Sequence, residues 1–210
     1  SSAASDVYKR QQNTYSQSAE MIWFVALPSS FALCLIPLPL VSALFEHGET
    51  SRQDALAISY ATAIYGLGLP AFMIQKLLQP LYFAREDTKT PLRFAVISML
   101  LNAILAIALL NVMGWIAVAV AASASAWVTS ILLWISAKKF GRAASVLKTS
   151  TNRIKRTFFA SLVMGIILWA ISQNLYTVMQ TSAERIFFAI ALVFAGSAIY
   201  LIMVLSLIHI

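Results

Sequence analysis

The residue best suited to chemistry in this 210-residue chain is a lysine inside an apolar run. Lys76 lies nine residues before Arg85, about 13 Å up a helix. An ammonium at mid-span costs roughly 2.5–3.5 kcal/mol on insertion scales. Two readings follow: the side chain snorkels to the surface, or it faces a wet cavity and meets an anionic substrate. Gln75 and Gln79 flank it at helical spacing and suggest a polar stripe. Asn102 is a further polar residue at membrane depth, read either as a helix–helix hydrogen bond or as part of a site. The chemistry implied is binding. The sequence shows no metal-ligand cluster, Ser/Cys–His pair or phosphate loop, and its two histidines, His47 and His209, stand far apart. An enzyme, a resident metal and a cofactor are therefore not expected.

The element carrying Lys76 runs from Gly66 to Pro91. Pro70 disturbs the carbonyl of Gly66 and Pro80 that of Lys76. Gly66 and Gly68 permit local unwinding. Gly66, Gly68, Pro70 and Pro80 thus read as a helix hinge. The loop Arg85-Glu-Asp-Thr-Lys-Thr-Pro91 alternates in charge. It is either a solvated connector or a cytoplasmic gate in which Arg85, Asp87, Lys89 and Arg93 change partners as helices move. Thr90 can cap the next helix, with Pro91 in its first turn.

The composition is that of a membrane protein: 60% hydrophobic and 11% charged, with mean hydropathy +0.80, where a soluble domain carries about 25% charge. Six runs approach the ~20 residues that span a bilayer: Met21–Phe45, Ala55–Ala84, Phe94–Val112, Trp115–Ala137, Thr157–Met179 and Ile186–Met203. The fold class is all-α, a polytopic membrane protein. Pro28, Pro37 and Pro39 should bend or break the first span. Small residues from Ala117 to Ala126 should let the fourth span pack closely.

The net charge of +7 does not point to nucleic acid, because the basic residues sit in links between spans. One link has Arg85, Lys89 and Arg93, and another has Lys138, Lys139, Arg142, Lys148, Arg153, Lys155 and Arg156. The opposite face has only Arg52 and Arg185 among its basic residues. Both ends of the chain are therefore expected on the cytoplasmic side. The long basic link also suits anionic membrane lipid. Residues 1–20 read as a lead-in, 21–139 as four spans, 140–156 as a basic link, 157–204 as two further spans and 205–210 as a tail. Ser1–Gln11 and Leu205–Ile210 resemble translated adapter sequence and are set aside. Cys34 has no partner for an internal disulfide.

Leu69-Pro70-Ala-Phe, Lys76-Leu-Leu-Gln-Pro80, Tyr82-Phe-Ala-Arg85 and Asp87-Thr-Lys-Thr-Pro91 resemble the matching segment of the MurJ/MviN family of lipid II flippases. Leu27-Pro28-Ser29 and Leu44-Phe45-Glu-His-Gly48 are similar to what precedes it there. The resemblance implies the last six helices of a fourteen-helix exporter of the multidrug/oligosaccharidyl-lipid/polysaccharide superfamily, monomeric when complete and resident in the bacterial inner membrane. It implies transport of undecaprenyl-diphosphate-linked disaccharide-pentapeptide by alternating access, coupled to membrane potential or to an ion. Some members hold sodium on an Asn and an Asp one turn apart. Asn102 matches the first, but Ala106 stands at the second. A related polysaccharide or multidrug exporter, and a membrane scaffold without a substrate, are the alternatives.

Overall fold

In lipid an apolar run must pair every backbone group internally, which leaves the helix as the available form. The computed structural model describes residues 2–175 and 181–208, with side chains from Lys9 onward except at 142–143, 175 and 207–208. The expected end of the fifth span (176–179), Gln180 and His209 lie outside the described residues. Seven α-helices and one 3-10 segment occur among the described residues: α1 Ser2–Leu35, α2 Pro37–Phe45, α3 Arg52–Phe83, α4 Lys89–Met113, α5 Ile116–Ala137, the 3-10 segment Lys138–Ala144, α6 Lys148–Leu175 and α7 Ser182–Ile208. Among the described residues, six stretches are long and apolar enough to cross a membrane.

The first span differs from expectation. It is Lys9–Leu35, not Met21–Phe45. The helix ends at Ile36, with φ −126° and ψ 42°, and Pro37 opens the short helix α2. A residue before proline is pushed out of the helical region, while proline itself suits a first turn. Pro28 stays inside α1, so only the second proline divides the run. The helix α6 likewise starts at Lys148 rather than Thr157. Much of the basic link is therefore helix. The described parts of the segments set aside in the sequence, residues 2–11 and 205–208, continue α1 and α7.

Two compact units share the chain. Residues 1–26 and 68–155 form the first, and 27–67 and 156–210 the second. The first unit has a core of Tyr15, Ala19, Leu77, Leu78, Tyr82, Leu133 and Ala137. Tyr82 is fully buried, and its hydroxyl donates to the Leu133 carbonyl at 2.7 Å. The expected close packing of α5 is present: Ala117, Ala119, Ala121, Ser123, Ser125 and Ala126 are all buried. Ser98 of α4 donates to the Ser125 carbonyl of α5 at 3.1 Å. The second unit has a core of Ile36, Ala160, Met164, Leu168, Leu192, Tyr200 and Val204.

The hinge expectation is corrected at one point. α3 runs unbroken from Arg52 to Phe83 with Pro70 and Pro80 inside it. The carbonyl of Gly66, which loses its partner at Pro70, is met by the Ser30 hydroxyl at 2.7 Å. A side chain from α1 thus replaces the missing hydrogen bond, which removes the need to unwind. Ser30→Ala is expected to lower stability by about 1–2 kcal/mol, the cost of an unsatisfied buried carbonyl. Adding Pro70→Ala, which restores the N–H, should recover most of the loss. Unfolding in mixed micelles reads both, and equal losses in the single and double variants would refute the account.

Candidate transport cavity

The long helix α3 presents different residues to two cavities of the first unit. Side chains four apart share a face, while adjacent ones diverge by about 100°. Lys76 and Pro80 line a cavity of about 520 Å³, whose other wall is α1 with Arg10, Thr14 and Ser18. Arg85 closes the same cavity near the end of α3. Lys76 is exposed, so its charge retains access to the cavity. Ile22, Leu77 and Leu81 add apolar lining.

Gln75 and Gln79 face elsewhere. They line a second cavity of about 320 Å³ with Ser98 and Asn102 of α4 and Ser125 and Thr129 of α5. The Gln75 amide donates to the Ala126 carbonyl at 3.0 Å and approaches the Ser130 hydroxyl at 3.4 Å. The single polar stripe expected for Gln75, Lys76 and Gln79 is therefore corrected to two faces. Asn102 belongs with the glutamines and not with the lysine.

The loop after α3 is tightly held. Asp87 N–H donates to the Tyr82 carbonyl and Glu86 N–H to that of Phe83, both at 3.0 Å. Glu86 has φ 57°. This is the paired-bond helix ending that usually places glycine in the left-handed position. A residue with a Cβ there costs about 1–2 kcal/mol. Asp87 then caps α4: its carboxylate accepts the Thr90 N–H at 3.0 Å and the Thr90 hydroxyl at 2.9 Å. Thr90 is therefore the donor and not the cap that the sequence suggests. Pro91 lies in the first turn of α4 as expected.

Asp87 also pairs with Lys139 at 3.0 Å. The hydrogen bond from Lys139, with those from Thr90, holds the Asp87 carboxyl below its usual value. Arg85 donates to the Leu81 carbonyl at 2.8 Å, and its guanidinium lies 4.3 Å from the centre of the Phe140 ring. Lys89 and Arg93 stay exposed and apart from this cluster. Of the four gate candidates, Arg85 and Asp87 are thus tied to the segment after α5. Their partners Lys139 and Phe140 carried no sequence signal beyond membership of the basic link. Arg10, Thr14 and Ser18 were also missed, although they recur every four residues along one helix face.

Comparison with known proteins gives one consistent answer. The family model described as lipid II flippase MurJ matches residues 1–206. A protein of Rhizobium meliloti named a probable lipid II flippase MurJ is 36% identical over 157 residues, 75% of this chain and 29% of its own length. One of the same name in Vibrio cholerae is 29% identical over 195 residues, 93% of this chain and 37% of its own. A solved structure of a lipid II flippase MurJ in an inward closed conformation aligns with TM-score 0.75 and 25% identity, covering 93% of this chain and 38% of that one. The chain thus spans about a third of the length of these relatives. With the family model matching nearly its whole length, this multi-pass helical membrane chain belongs to the lipid II flippase MurJ family.

Proposed function

We propose that this chain is the later part of a lipid II flippase. It moves undecaprenyl-diphosphate-linked disaccharide-pentapeptide from the cytoplasmic to the periplasmic leaflet of the inner membrane by alternating access, during peptidoglycan synthesis. The observation that carries the reading is Lys76, a lysine within a membrane-spanning helix that lines a cavity of about 520 Å³. A cation there lowers the cost of bringing a diphosphate into a low-dielectric space. The complete protein works as a monomer, both ends of this chain face the cytoplasm, and transport is coupled to membrane potential or to an ion. The loop from Arg85 to Arg93 is the cytoplasmic gate, and the Asp87–Lys139 pair is the contact that its movement breaks. Within the continuous helix α3, Pro80 is the point about which the gate end moves, while Gly66, Gly68 and Pro70 lie in a stretch held by the Ser30 hydrogen bond and by close packing. The second cavity, with Gln75, Gln79 and Asn102, supplies a polar wall within the bundle.

Two measurements test this. Lys76→Cys, placed in the longest open reading frame that contains the chain, should react with a water-soluble thiol reagent from one side of the membrane. Protection equal to that of a lipid-facing control would refute the cavity. The unmodified reading frame should restore lipid II translocation in flippase-depleted cells. Drug efflux without rescue would instead mark a related exporter and overturn the flippase reading.

A further inference from the structure

We propose that the groove between α1 and α5 of the first unit holds one acyl chain of an anionic phospholipid, phosphatidylglycerol, with Lys138 at its phosphate. This goes beyond the transport reading and requires only that the chain sits in a membrane. A cavity of about 310 Å³ is lined by Tyr15 and Trp23 of α1, by Trp127, Ile131 and Trp134 of α5, and by Val146 of the link. It is a separate space from the cavity of Lys76, since only Tyr15 and Leu77 line both. Among the described residues no charged group lines it. Its one aliphatic hydroxyl, Ser130, already donates toward the Ala71 and Ala126 carbonyls at 2.6 and 2.9 Å. The interior therefore suits hydrocarbon and gives a charged headgroup no partner.

The groove has a polar end and an apolar end. The Gln12 amide donates to the Ser145 hydroxyl at 2.8 Å, and the Leu147 N–H donates to the Ser16 hydroxyl at 3.0 Å. These bonds hold the Tyr15 level of α1 beside the basic link. Trp23 follows eight residues later, about 12 Å deeper into the span. On α5, Trp134 stands one turn before Lys138, and Trp127 lies seven residues further from it, about 10 Å deeper. The two walls thus cover most of the ~15 Å of hydrocarbon in one leaflet, half of a ~30 Å core. An extended acyl chain matches that length. At the polar end Lys138 is exposed, and its ammonium lies 4.6 Å from the centre of the Trp134 ring. Indole rings mark the level where hydrocarbon meets headgroups, and a lysine at that level attracts anionic lipid. A zwitterionic lipid would fit the apolar walls equally well, but its own ammonium offsets the attraction of its phosphate for Lys138. The lysine therefore selects net negative charge, and the walls supply the apolar contact.

The test uses the longest open reading frame that contains the chain, in phosphatidylcholine vesicles. Phosphatidylglycerol or phosphatidylcholine with a diazirine at the middle of one acyl chain is added at equal trace concentration and photolysed. Mass spectrometry then identifies the labelled peptides. Phosphatidylglycerol should label the peptides of Trp23, Trp127 and Ile131 about fivefold more than phosphatidylcholine does, the ratio for one basic residue beside an anionic headgroup. Excess unlabelled phosphatidylglycerol should remove that difference. Lys138→Gln should bring the two lipids to equal labelling, and Lys138→Arg should keep them apart. Because Lys138 is exposed, neither change disturbs a packed core. The inference fails if the two lipids label the groove equally in the unmodified protein, or if Lys138→Gln leaves their ratio unchanged. It also fails if the same ratio is found on every labelled helix. Absence of groove labelling by either lipid would mean that another segment of the protein fills the groove, and would overturn it too. None of these outcomes depends on transport, so failed rescue in flippase-depleted cells would remove the flippase reading and leave this site standing.

Discussion

Glu46→Ala is expected to destabilise the second unit by about 3 kcal/mol, the cost of breaking a largely buried ion pair from one side. Glu46 follows α2 and is 8% exposed. One carboxylate oxygen meets Arg52, at the start of α3, at 3.1 Å, and the other meets Arg185, in the first turn of α7, at 2.6 Å. The two arginines differ in exposure, 46% for Arg52 and 18% for Arg185. Loss of the carboxylate therefore leaves Arg185 charged and poorly solvated, while Arg52 is served by water. Arg52→Ala should cost under about 1 kcal/mol, the scale of an exposed pair. Unfolding in mixed micelles should rank Glu46→Ala first, then Arg185→Ala, then Arg52→Ala. An Arg52→Ala loss as large as that of Glu46→Ala would contradict this account. Burial pushes the Glu46 carboxyl up, but hydrogen bonds from Ser42 and Arg52 and the charges of both arginines outweigh it, so its value is lowered. A lowered acid contributes fully above its unfolded value, about 4.3 for glutamate, and the contribution is lost as pH falls through the folded value. The wild-type chain should therefore lose its advantage over Glu46→Gln in acid.

This cluster was visible in the sequence only as scattered charges on the sparsely basic face. Span number and helical class were legible because long apolar runs admit one backbone solution in lipid. Boundaries were less so. Pro28, Pro37 and Pro39 are alike in sequence, yet Pro28 is tolerated inside a helix and Pro37 starts one. The difference depends on whether a neighbour or a helix start absorbs the missing N–H. The first turns of α6, with Lys148, Arg153, Lys155 and Arg156, escaped because hydropathy does not register a charged helix end.

The cavity was half legible. Lys76 stood out through its cost in lipid, but grouping it with Gln75 and Gln79 ignored the rotation between adjacent helical positions. Arg10 belongs to a segment that looked extraneous, although the family model matches it with the rest. Lys139 becomes a partner of Asp87 only when α5 returns to the α3–α4 loop, a contact 52 residues apart in the chain. No local pattern encodes that approach.

Gly68 allows the clearest separation of packing from flexibility. A Cβ at Gly68 would lie 2.7 Å from the Ser123 hydroxyl oxygen, 3.1 Å from its Cβ and 3.2 Å from its Cα. Two helices of the first unit therefore meet where α3 has no room for a methyl group against Ser123. Gly68→Ala is expected to destabilise the chain by about 2 kcal/mol through overpacking, despite the roughly 1 kcal/mol that alanine gains in helix propensity. Ser123→Gly removes two of the three clashing atoms and should offset part of the loss. The coupling between the two changes is expected at about 1–2 kcal/mol, within the range for residues in contact. If Gly68 served only as a flexible point, alanine would stiffen and stabilise α3, and the identity of residue 123 would not matter. A double-mutant cycle read by unfolding in mixed micelles decides between them. Zero coupling with a stabilised Gly68→Ala would sink the packing account and return Gly68 to the hinge. The expected coupling would mean that α3 bends, if at all, without separating from α5 at this point, which restricts the gate to the segment beyond Lys76.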